Sequence, residues 1–313
     1  MTDAAPALRL RGVGKDYGAR AAVGAIDLEV RRGECFALLG PNGAGKTTTI
    51  SMVAGVVTAS RGQIEICGID LQRDPYAAKA RLGLVPQELA LYEELSALQN
   101  LNYFGALYGL AGATLAKRID EALDIVGLRD RAREPAKRYS GGMKRRLNIA
   151  AGLVHRPEVL VLDEPTVGVD PQSRNHIFAT VRALRDAGTT VVYTTHYMEE
   201  VEALCDRVAI IDAGAIVASG TVGELVARHT THEIVIELGG DPQAIAAGLG
   251  EARARGATLH EGSTVRIVPT EGLGSLIGAI EGTGAVIARI ASRDATLEAA
   301  FLALTGHALR DAS

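Results

Sequence analysis

Gly40-Pro41-Asn42-Gly43-Ala44-Gly45-Lys46-Thr47-Thr48 is the stretch whose reading decides the fold of this chain. The apolar run Cys35–Leu39 precedes it and a helical pattern starts at Lys46. A strand, a GxxxxGK[ST] turn and a helix in that order read as a phosphate loop. Glycines let backbone N–H groups turn inward around phosphate oxygens, where side chains would block the approach. The helix behind them aims the positive end of its dipole at the same anion. Lys46 supplies a point charge to the β- and γ-phosphates, and the Thr47 hydroxyl is placed to ligate Mg²⁺. Asn42, Gly43, Ala44, Gly45 and Thr48 complete the expected cradle. A glycine-rich turn that matches by chance is the bland alternative, and the strand–helix context weighs against it.

Outward from the loop, strand and helix patterns alternate. Residues 159–162 (Val-Leu-Val-Leu) and Thr190–Thr195 are apolar, buried-strand candidates, and residues 173–187 read as a helix with Ile177, Val181 and Leu184 on one face. Such alternation predicts a parallel α/β sheet. Asp163 and Glu164 leave the strand at 159–162 at its C-terminal end, the edge where open α/β sheets bind ligands. Asp163 can orient Mg²⁺ through water, and Glu164 can polarise an attacking water. By itself an apolar strand ending in Asp-Glu is commonplace; beside a phosphate loop it becomes half of an ATPase site. Arg207–Asp212 and residues 215–218 flank Ala213-Gly214 and predict a hairpin. Residues 91–136 show helical periodicity (Leu98, Leu101, Phe104, Tyr108; then Ile119, Leu123, Val126) and predict a helical insertion.

Composition narrows the class. The chain has 313 residues, 47% hydrophobic and 22% charged, which is globular composition with enough length for a sizeable core. No apolar run reaches the roughly 18 residues that span a bilayer. Met1-Thr2-Asp3-Ala4-Ala5-Pro6 carries an acid and no apolar h-region, so no secretory signal is expected. Cys35, Cys67 and Cys205 form no CxxC pair and read as small buried hydrophobes in a reducing compartment. The net charge of −4 gives no basic stripe for nucleic acid. That charge is uneven. Up to residue 230 there are 27 Lys+Arg and 27 Asp+Glu; residues 231–313 hold 6 Arg, no Lys and 10 Asp+Glu. The shift predicts a boundary near residue 228, with domains at 1–228 (helical subdomain about 90–155) and 229–313. The tail pattern reads β-α-β-β-α-β-α: strands at 232–238, 258–260, 264–268 and 285–290, helices at 242–249, 274–280 and 296–304. The strands at 258–260 and 264–268 flank a Glu261-Gly262-Ser263 turn. That order predicts a small α+β ferredoxin-like sandwich.

Tyr139-Ser140-Gly141-Gly142-Met143 stands 23 residues ahead of Asp163, counted from Ser140. Gln87 lies between the phosphate loop and this motif; Val167-Gly168-Val169-Asp170 and then His196 follow Glu164. The whole order closely resembles the ATP-binding subunit of an ABC transporter, over roughly residues 7–225. The resemblance implies a P-loop ABC ATPase core with a mixed sheet and a helical subdomain. It implies ATP and Mg²⁺ as ligands, with Thr47, Gln87 and Asp163 around the metal. Tyr17, 29 residues before Lys46, would stack on adenine, with a core-edge tyrosine as the alternative. Gln87 would also sense the membrane partner, and His196 would contact the γ-phosphate and fix the water. Ser140, Gly141 and Gly142 would cap the γ-phosphate of a second copy in a head-to-tail nucleotide sandwich dimer, and Asp170 would line that dimer contact. Met143 and Tyr139 replace the commoner Gln and Leu, and Val167-Gly168-Val169 replaces Ser-Ala-Leu; the Ser140 hydroxyl and the glycine donors remain. Lys144, Arg145 and Arg146 are expected at a solvated or γ-phosphate-facing helix end rather than on nucleic acid.

Stretches 139–146, 164–174, 195–202 and 292–306 are similar to ABC-2 type exporters of the daunorubicin-resistance, linearmycin and Nod-factor export kind. The resemblance implies a separate transmembrane ABC-2 permease exporting a drug, antibiotic, lipid or glycolipid-like substrate, and a place at the cytoplasmic face of the membrane. The segment Pro86-Gln87-Glu88-Leu89-Ala90-Leu91-Tyr92 resembles the permease-docking region, with Leu89, Leu91 and Tyr92 as candidate contacts and ordinary helix packing as the alternative. The tail would serve dimerisation or regulation. Two other readings remain: a non-transport ABC ATPase such as an assembly scaffold, and an importer ATPase whose regulatory tail would be an all-β barrel.

Overall fold

The computed structural model describes residues 5–230, 233–259, 262–267, 273–293 and 295–307. The expectations placed on residues 1–4 and on His232, His260, Glu261, Val268 and Asp294 lie outside them. In chain order, β1 (Leu8–Tyr17) and β2 (Arg20–Val30) form a hairpin, and β3 (Cys35–Leu39) runs into the phosphate loop and α1 (Lys46–Val53). Then come β4 (Arg61–Ile66), β5 (Ile69–Asp70), α2 (Pro75–Ala80) and β6 (Leu82–Val85). Three helices follow: α3 (Ala97–Leu107), α4 (Gly112–Ile125) and α5 (Gly141–Leu153). The chain continues through β7 (Val159–Asp163), α6 (Pro171–Asp186), β8 (Thr190–Thr195), α7 (Met198–Leu204), β9 (Arg207–Asp212), β10 (Ala215–Gly220) and α8 (Val222–His229).

The central sheet has the order β10-β9-β3-β8-β7-β6. Its members run parallel except β10, which pairs antiparallel with β9 as the hairpin pattern at Ala213-Gly214 predicts. Every residue of β3, β7 and β8 is buried, because both faces of this sheet are covered. Alternate side chains feed two cores. Leu160, Leu162, Val191 and Tyr193 face the helices α3 to α6, with Leu101, Ile119, Leu123 and Leu147. Val159, Val161, Phe36 and Val192 face a second, four-stranded antiparallel sheet of order β2-β1-β4-β5. The reading from sequence did not identify that second sheet. Its signal, Leu8 and Leu10 inward with Arg9 and Arg11 outward, lasts four residues before the register shifts near Gly12. Cys35 is buried with its Sγ 3.6 Å from that of Cys205, and all three cysteines are free.

Helix starts follow side-chain chemistry. Asp170 caps α6 ahead of Pro171, Ser140 caps α5, and Ser96 with Gln99 forms a capping box on α3. α5 lies on β6 through a glycine pair: a Cβ on Gly83 would come within 2.2 Å of the Gly152 carbonyl oxygen.

By packing, the chain divides after Val222, with Gly223–His307 as a second unit. The expected boundary at 228 therefore moves to the start of α8, whose apolar Leu225 is buried. The tail runs β11 (Glu233–Gly239), α9 (Pro242–Ala254), β12 (Thr258–Leu259), β13 (Thr264–Ile267), α10 (Leu273–Glu281), β14 (Val286–Arg293) and α11 (Leu297–Thr305). Its antiparallel sheet, β12-β13-β11-β14, encloses a core of Ile236, Leu238, Ala252, Val265, Leu276 and Ile280. α9 extends past the expected residue 249 to Ala254. Gly248 inside it is a packing glycine, since a Cβ there would stand 2.8 Å from the Ala285 Cβ.

The Gly83–Gly152 contact leaves no room for a methyl group. Gly83→Ala should lower unfolding stability by about 1–3 kcal/mol, the usual cost of overpacking. A urea titration checks this; an unchanged midpoint would mean that α5 can move off the strand.

Candidate active site

Four strands end on one edge of the central sheet, and each delivers one part of the site. β3 delivers the phosphate loop, β6 delivers Gln87, β7 delivers Asp163 and Glu164, and β8 delivers His196. They enclose a cleft of about 940 Å³ lined by Tyr17, Asn42, Gly43, Gly45, Lys46, Thr47, Thr48, Gln87, Glu164 and His196. Val167 and Tyr197, from stretches that carried the resemblance, also line it, as do Arg20, Ala21, Ala22 and Ala213, which were not singled out for the site from sequence. Tyr17 is half exposed at the rim with the Lys15 ammonium 5.1 Å from its ring centre.

Gly45 is the N-cap of α1 at φ +106°, a conformation open to glycine and strained for L side chains. It offers no side-chain cap, so the first N–H groups of α1 remain available to an anion. The β9–β10 turn braces the loop from below: Gly214 N–H donates to Ala44 O at 2.9 Å. Gly40 is pinned as well, because a Cβ there would meet the Ile211 carbonyl at 2.2 Å.

The charged centre is buried. Lys46, 4% exposed, donates from Nζ to Gly40 O (2.7 Å) and Pro41 O (3.1 Å) and lies 3.1 Å from Glu164 Oε1. Glu164 Oε2 is 3.4 Å from His196 Nδ1. Glu164 itself has φ +43°, a left-handed backbone that costs a non-glycine residue on the order of 1–3 kcal/mol. Thr194 over-determines that conformation, since its carbonyl and its hydroxyl both accept from Glu164 N–H, at 3.2 and 3.0 Å. The same Thr194 hydroxyl donates to Asp163 Oδ1 at 2.7 Å. Burial raises the Asp163 pKa above the ordinary carboxylate range, with Glu164 adding to it, while the Thr194 and Thr47 hydroxyls oppose the shift.

Among the described residues no group of three or more His, Cys, Asp and Glu could hold a metal unaided. Thr47, Gln87 and Asp163 instead offer a hydroxyl, an amide and a carboxylate, hard oxygen donors that suit Mg²⁺ sharing its shell with water and phosphate.

Ser140, Gly141, Gly142 and Asp170 do not line this cleft. Ser140 is exposed, accepting from Met143 N–H at 3.3 Å at the start of α5. Gly142 is pressed against α6, where a Cβ would fall 1.9 Å from Ser173 Oγ. Ser173 in turn holds the Asp170 carboxyl below its ordinary pKa by hydrogen bonding, so loop and aspartate form one rigid corner.

The basic run after Gly142 corrects the expectation of a solvated or phosphate-facing helix end. Arg145 is buried, donating to Gln87 O at 2.5 Å, with longer bonds to Pro86 O (3.4 Å) and Val167 O (3.5 Å). Arg146 donates to Val126 O at 2.8 Å, and Lys144 to Glu93 at 2.7 Å. All three are internal ties of the helical region. Asn148 adds another, accepting from Ala90 N–H at 3.2 Å.

Because Asp163 has a folded-state pKa above its unfolded value of about 3.9, its ionisation opposes folding. Its favourable contribution exists below that unfolded value and is lost as pH rises through the folded pKa. Asp163→Asn keeps an acceptor for Thr194 and removes the charge. It should raise Tm at pH 7 by roughly 2–4 °C. The gain should shrink as the pH falls toward 4, which calorimetry over that range would show.

Comparison with known proteins agrees with this geometry. Residues 23–167 match the ABC transporter family. The chain is 42% identical to the linearmycin resistance ATP-binding protein of Bacillus subtilis (strain 168), spanning 97% of this chain and all of that one. It is 40% identical to a daunorubicin resistance ATP-binding protein of Streptomyces coeruleorubidus, covering 96% of each. A solved ATP-binding subunit of an ABC transporter superposes with a TM-score of 0.65 at 29% identity, over 71% of this chain and 92% of that one. A P-loop core of this topology, matched to such relatives over nearly its full length, belongs to the ABC transporter family as an ATP-hydrolysing, ATP-binding subunit.

Proposed function

We propose that this chain binds and hydrolyses ATP as a dimer that powers a separate ABC-2 type permease, exporting a drug, antibiotic, lipid or glycolipid-like compound. The observation that carries the reading is the convergence of Lys46, Gln87, Glu164 and His196 on one cleft while Ser140 and Gly141 stand exposed outside it, with Gly142 buried behind them. One copy then holds an incomplete site, and a second copy arranged head to tail supplies the missing helix N-terminus to the γ-phosphate. The relatives are a linearmycin and a daunorubicin resistance protein, which supports export. The tail contains helices around its sheet, which speaks against the all-β regulatory barrel of the importer alternative.

The roles follow from position. Tyr17 stacks on adenine at the rim, and the loop N–H groups from Asn42 to Thr48 hold the phosphates. Thr47, Gln87 and Asp163 would hold Mg²⁺, which would supply charge neutralisation to the phosphates. A phosphate in the loop gives the Lys46 ammonium an anion, which leaves the Glu164 carboxylate free to accept a proton from water. That water attacks the γ-phosphorus, and ADP leaves as the bond to its β-phosphate oxygen breaks. His196 fixes the same water and contacts the γ-phosphate. Asp170 lines the dimer contact.

Among the described residues no helix is long and apolar enough to cross a membrane, so the transport path would lie in the permease and the chain would sit on the cytoplasmic face through it. Near Gln87, Leu89 and Tyr92 are exposed, and Tyr92 meets the exposed Tyr103 edge-on at 4.9 Å; Leu91 is partly buried against the core. An exposed aromatic pair beside the Gln87 loop suits an amphipathic helix of the permease. No nucleic-acid partner is proposed.

Glu164→Gln should cut ATP turnover at least about 100-fold, the usual contribution of a positioned base, with ATP binding retained. Wild-type turnover would overturn the reading. In that trapping background, Ser140→Arg should abolish ATP-dependent dimerisation on gel filtration, and undiminished dimers would refute the site completed by a second copy. Tyr103→Ser should weaken co-purification with the permease while leaving basal turnover intact.

A further inference from the structure

Glu200 has no role in the site described above, yet it is a fully buried carboxylate. Burying an ionised carboxylate costs several kcal/mol unless its lone pairs are met. Here they are met by residues from three segments. Oε2 accepts from Thr195 Oγ1 at 2.8 Å and from the Tyr193 hydroxyl at 3.0 Å. Oε1 accepts from Thr166 Oγ1 at 2.7 Å and pairs with Arg174 Nε at 3.2 Å. A carboxylate has about four acceptor sites; here three hydroxyl donors fill three of them and the Arg174 guanidinium adds an ion pair.

The donors are placed where the chemistry is. Thr166 lies two residues after Glu164, and Thr195 immediately precedes His196. Arg174 belongs to the first turns of α6, whose cap is Asp170. The Thr195 hydroxyl also accepts from Tyr197 N–H at 2.9 Å, so the chain is held on both sides of His196. Packing alone would need no charge here, and an apolar side chain of similar volume would fill the space without desolvation. We infer that Glu200 is a positioning residue for hydrolysis: one buried carboxylate that ties the segment carrying Glu164, the segment carrying His196 and the helix behind Asp170 into a single rigid unit. This rests on the roles proposed for Glu164 and His196.

Its consequence is specific. Glu164 and His196 must hold one water between them, and displacing such a pair by about 1 Å can cost on the order of 100-fold in rate. Glu200 touches neither the loop nor the cleft lining, so nucleotide affinity should survive its loss.

The test uses the full chain and a phosphate-release assay, with the folded fraction of each variant set by circular dichroism. Glu200→Gln removes the charge at nearly constant shape; kcat should fall 10- to 100-fold per folded molecule with KM for ATP within about twofold. Thr195→Val removes one arm isosterically and should lower kcat in the same way, whereas Thr195→Ser, which keeps the hydroxyl, should restore it. Wild-type kcat in Glu200→Gln overturns the inference, as does a loss fully accounted for by unfolded protein or one that Thr195→Ser fails to restore. If Glu200→Gln is fully active while Glu164→Gln is inactive, the Glu200 inference alone falls; if Glu164→Gln keeps wild-type turnover, the functional reading falls with it.

Discussion

Lys46 carries a positive charge into a space where 4% of its surface meets solvent. A buried ammonium persists only with partners, and these are the carbonyls of Gly40 and Pro41 and the Glu164 carboxylate. That triad needs the end of β3 and the end of β7 at a fixed separation, yet the two strands are not neighbours: β8 lies between them. β8 supplies the link. Thr194 at its end holds the Glu164 backbone and the Asp163 side chain at once. The parallel sheet thus does more than present loops on one edge. Its middle strand fixes the distance between a cation and two carboxylates, and the wholly apolar bodies of β3 and β7 bear the cost of the polar ends.

The helical region is joined to this edge chiefly by hydrogen bonds to the backbone of the segment after β6. Arg145 on α5 grips the Gln87 carbonyl and reaches Val167, while the same helix begins at Ser140. Movement of the Gln87 loop would therefore pull on α5, the helix that Ser140 caps. Gly142 locked against Ser173 extends the same rigid body to Asp170. On the function proposed above, a permease that shifts residues 86–92 would act on both Ser140 and Asp170 through α5, without a separate relay.

Much of this was legible in the sequence because the local chemistry is demanding. GxxxxGK[ST] after an apolar run fixes a strand, a loop and a helix, and the alternation of buried strands with helices fixes a parallel sheet. Asp163 and Glu164 were readable because they close an apolar run, whereas His196 was picked out by the resemblance to the family. The tail's order of elements was readable from its own apolar runs, though its longest helix was cut short near Gly248 and Gly250; Gly248 serves close packing, and neither glycine ends the helix. The antiparallel sheet went unread, since bulges near Gly12 interrupt its alternation. Arg145 and Glu200 were missed because nothing local marks them. A charged residue on a helix is usually a solvated one, and only the carbonyls of Pro86, Gln87 and Val167, or the hydroxyls of Thr166, Tyr193 and Thr195, give these two their places inside.

The residues of the site share a property that explains where stability and function diverge. Strain and buried charge gather at the strand ends: Glu164 has a left-handed backbone, Asp163 has its ionisation opposed by burial, and Lys46 is nearly dry. Each is unfavourable alone and tolerated because a neutral hydroxyl or carbonyl is fixed beside it. Thr194 is the hydroxyl beside Glu164 and Asp163, the carbonyls of Gly40 and Pro41 serve Lys46, and Thr195 and Thr166 donate to the buried Glu200. A threonine is well suited to the task, since its β-branch fits a buried strand while its hydroxyl can donate and accept together. The run Thr194-Thr195 at the end of β8 is therefore the point at which an apolar strand becomes a charged site. The chemistry of that edge depends on two methyl-bearing hydroxyls as much as on the carboxylates they hold.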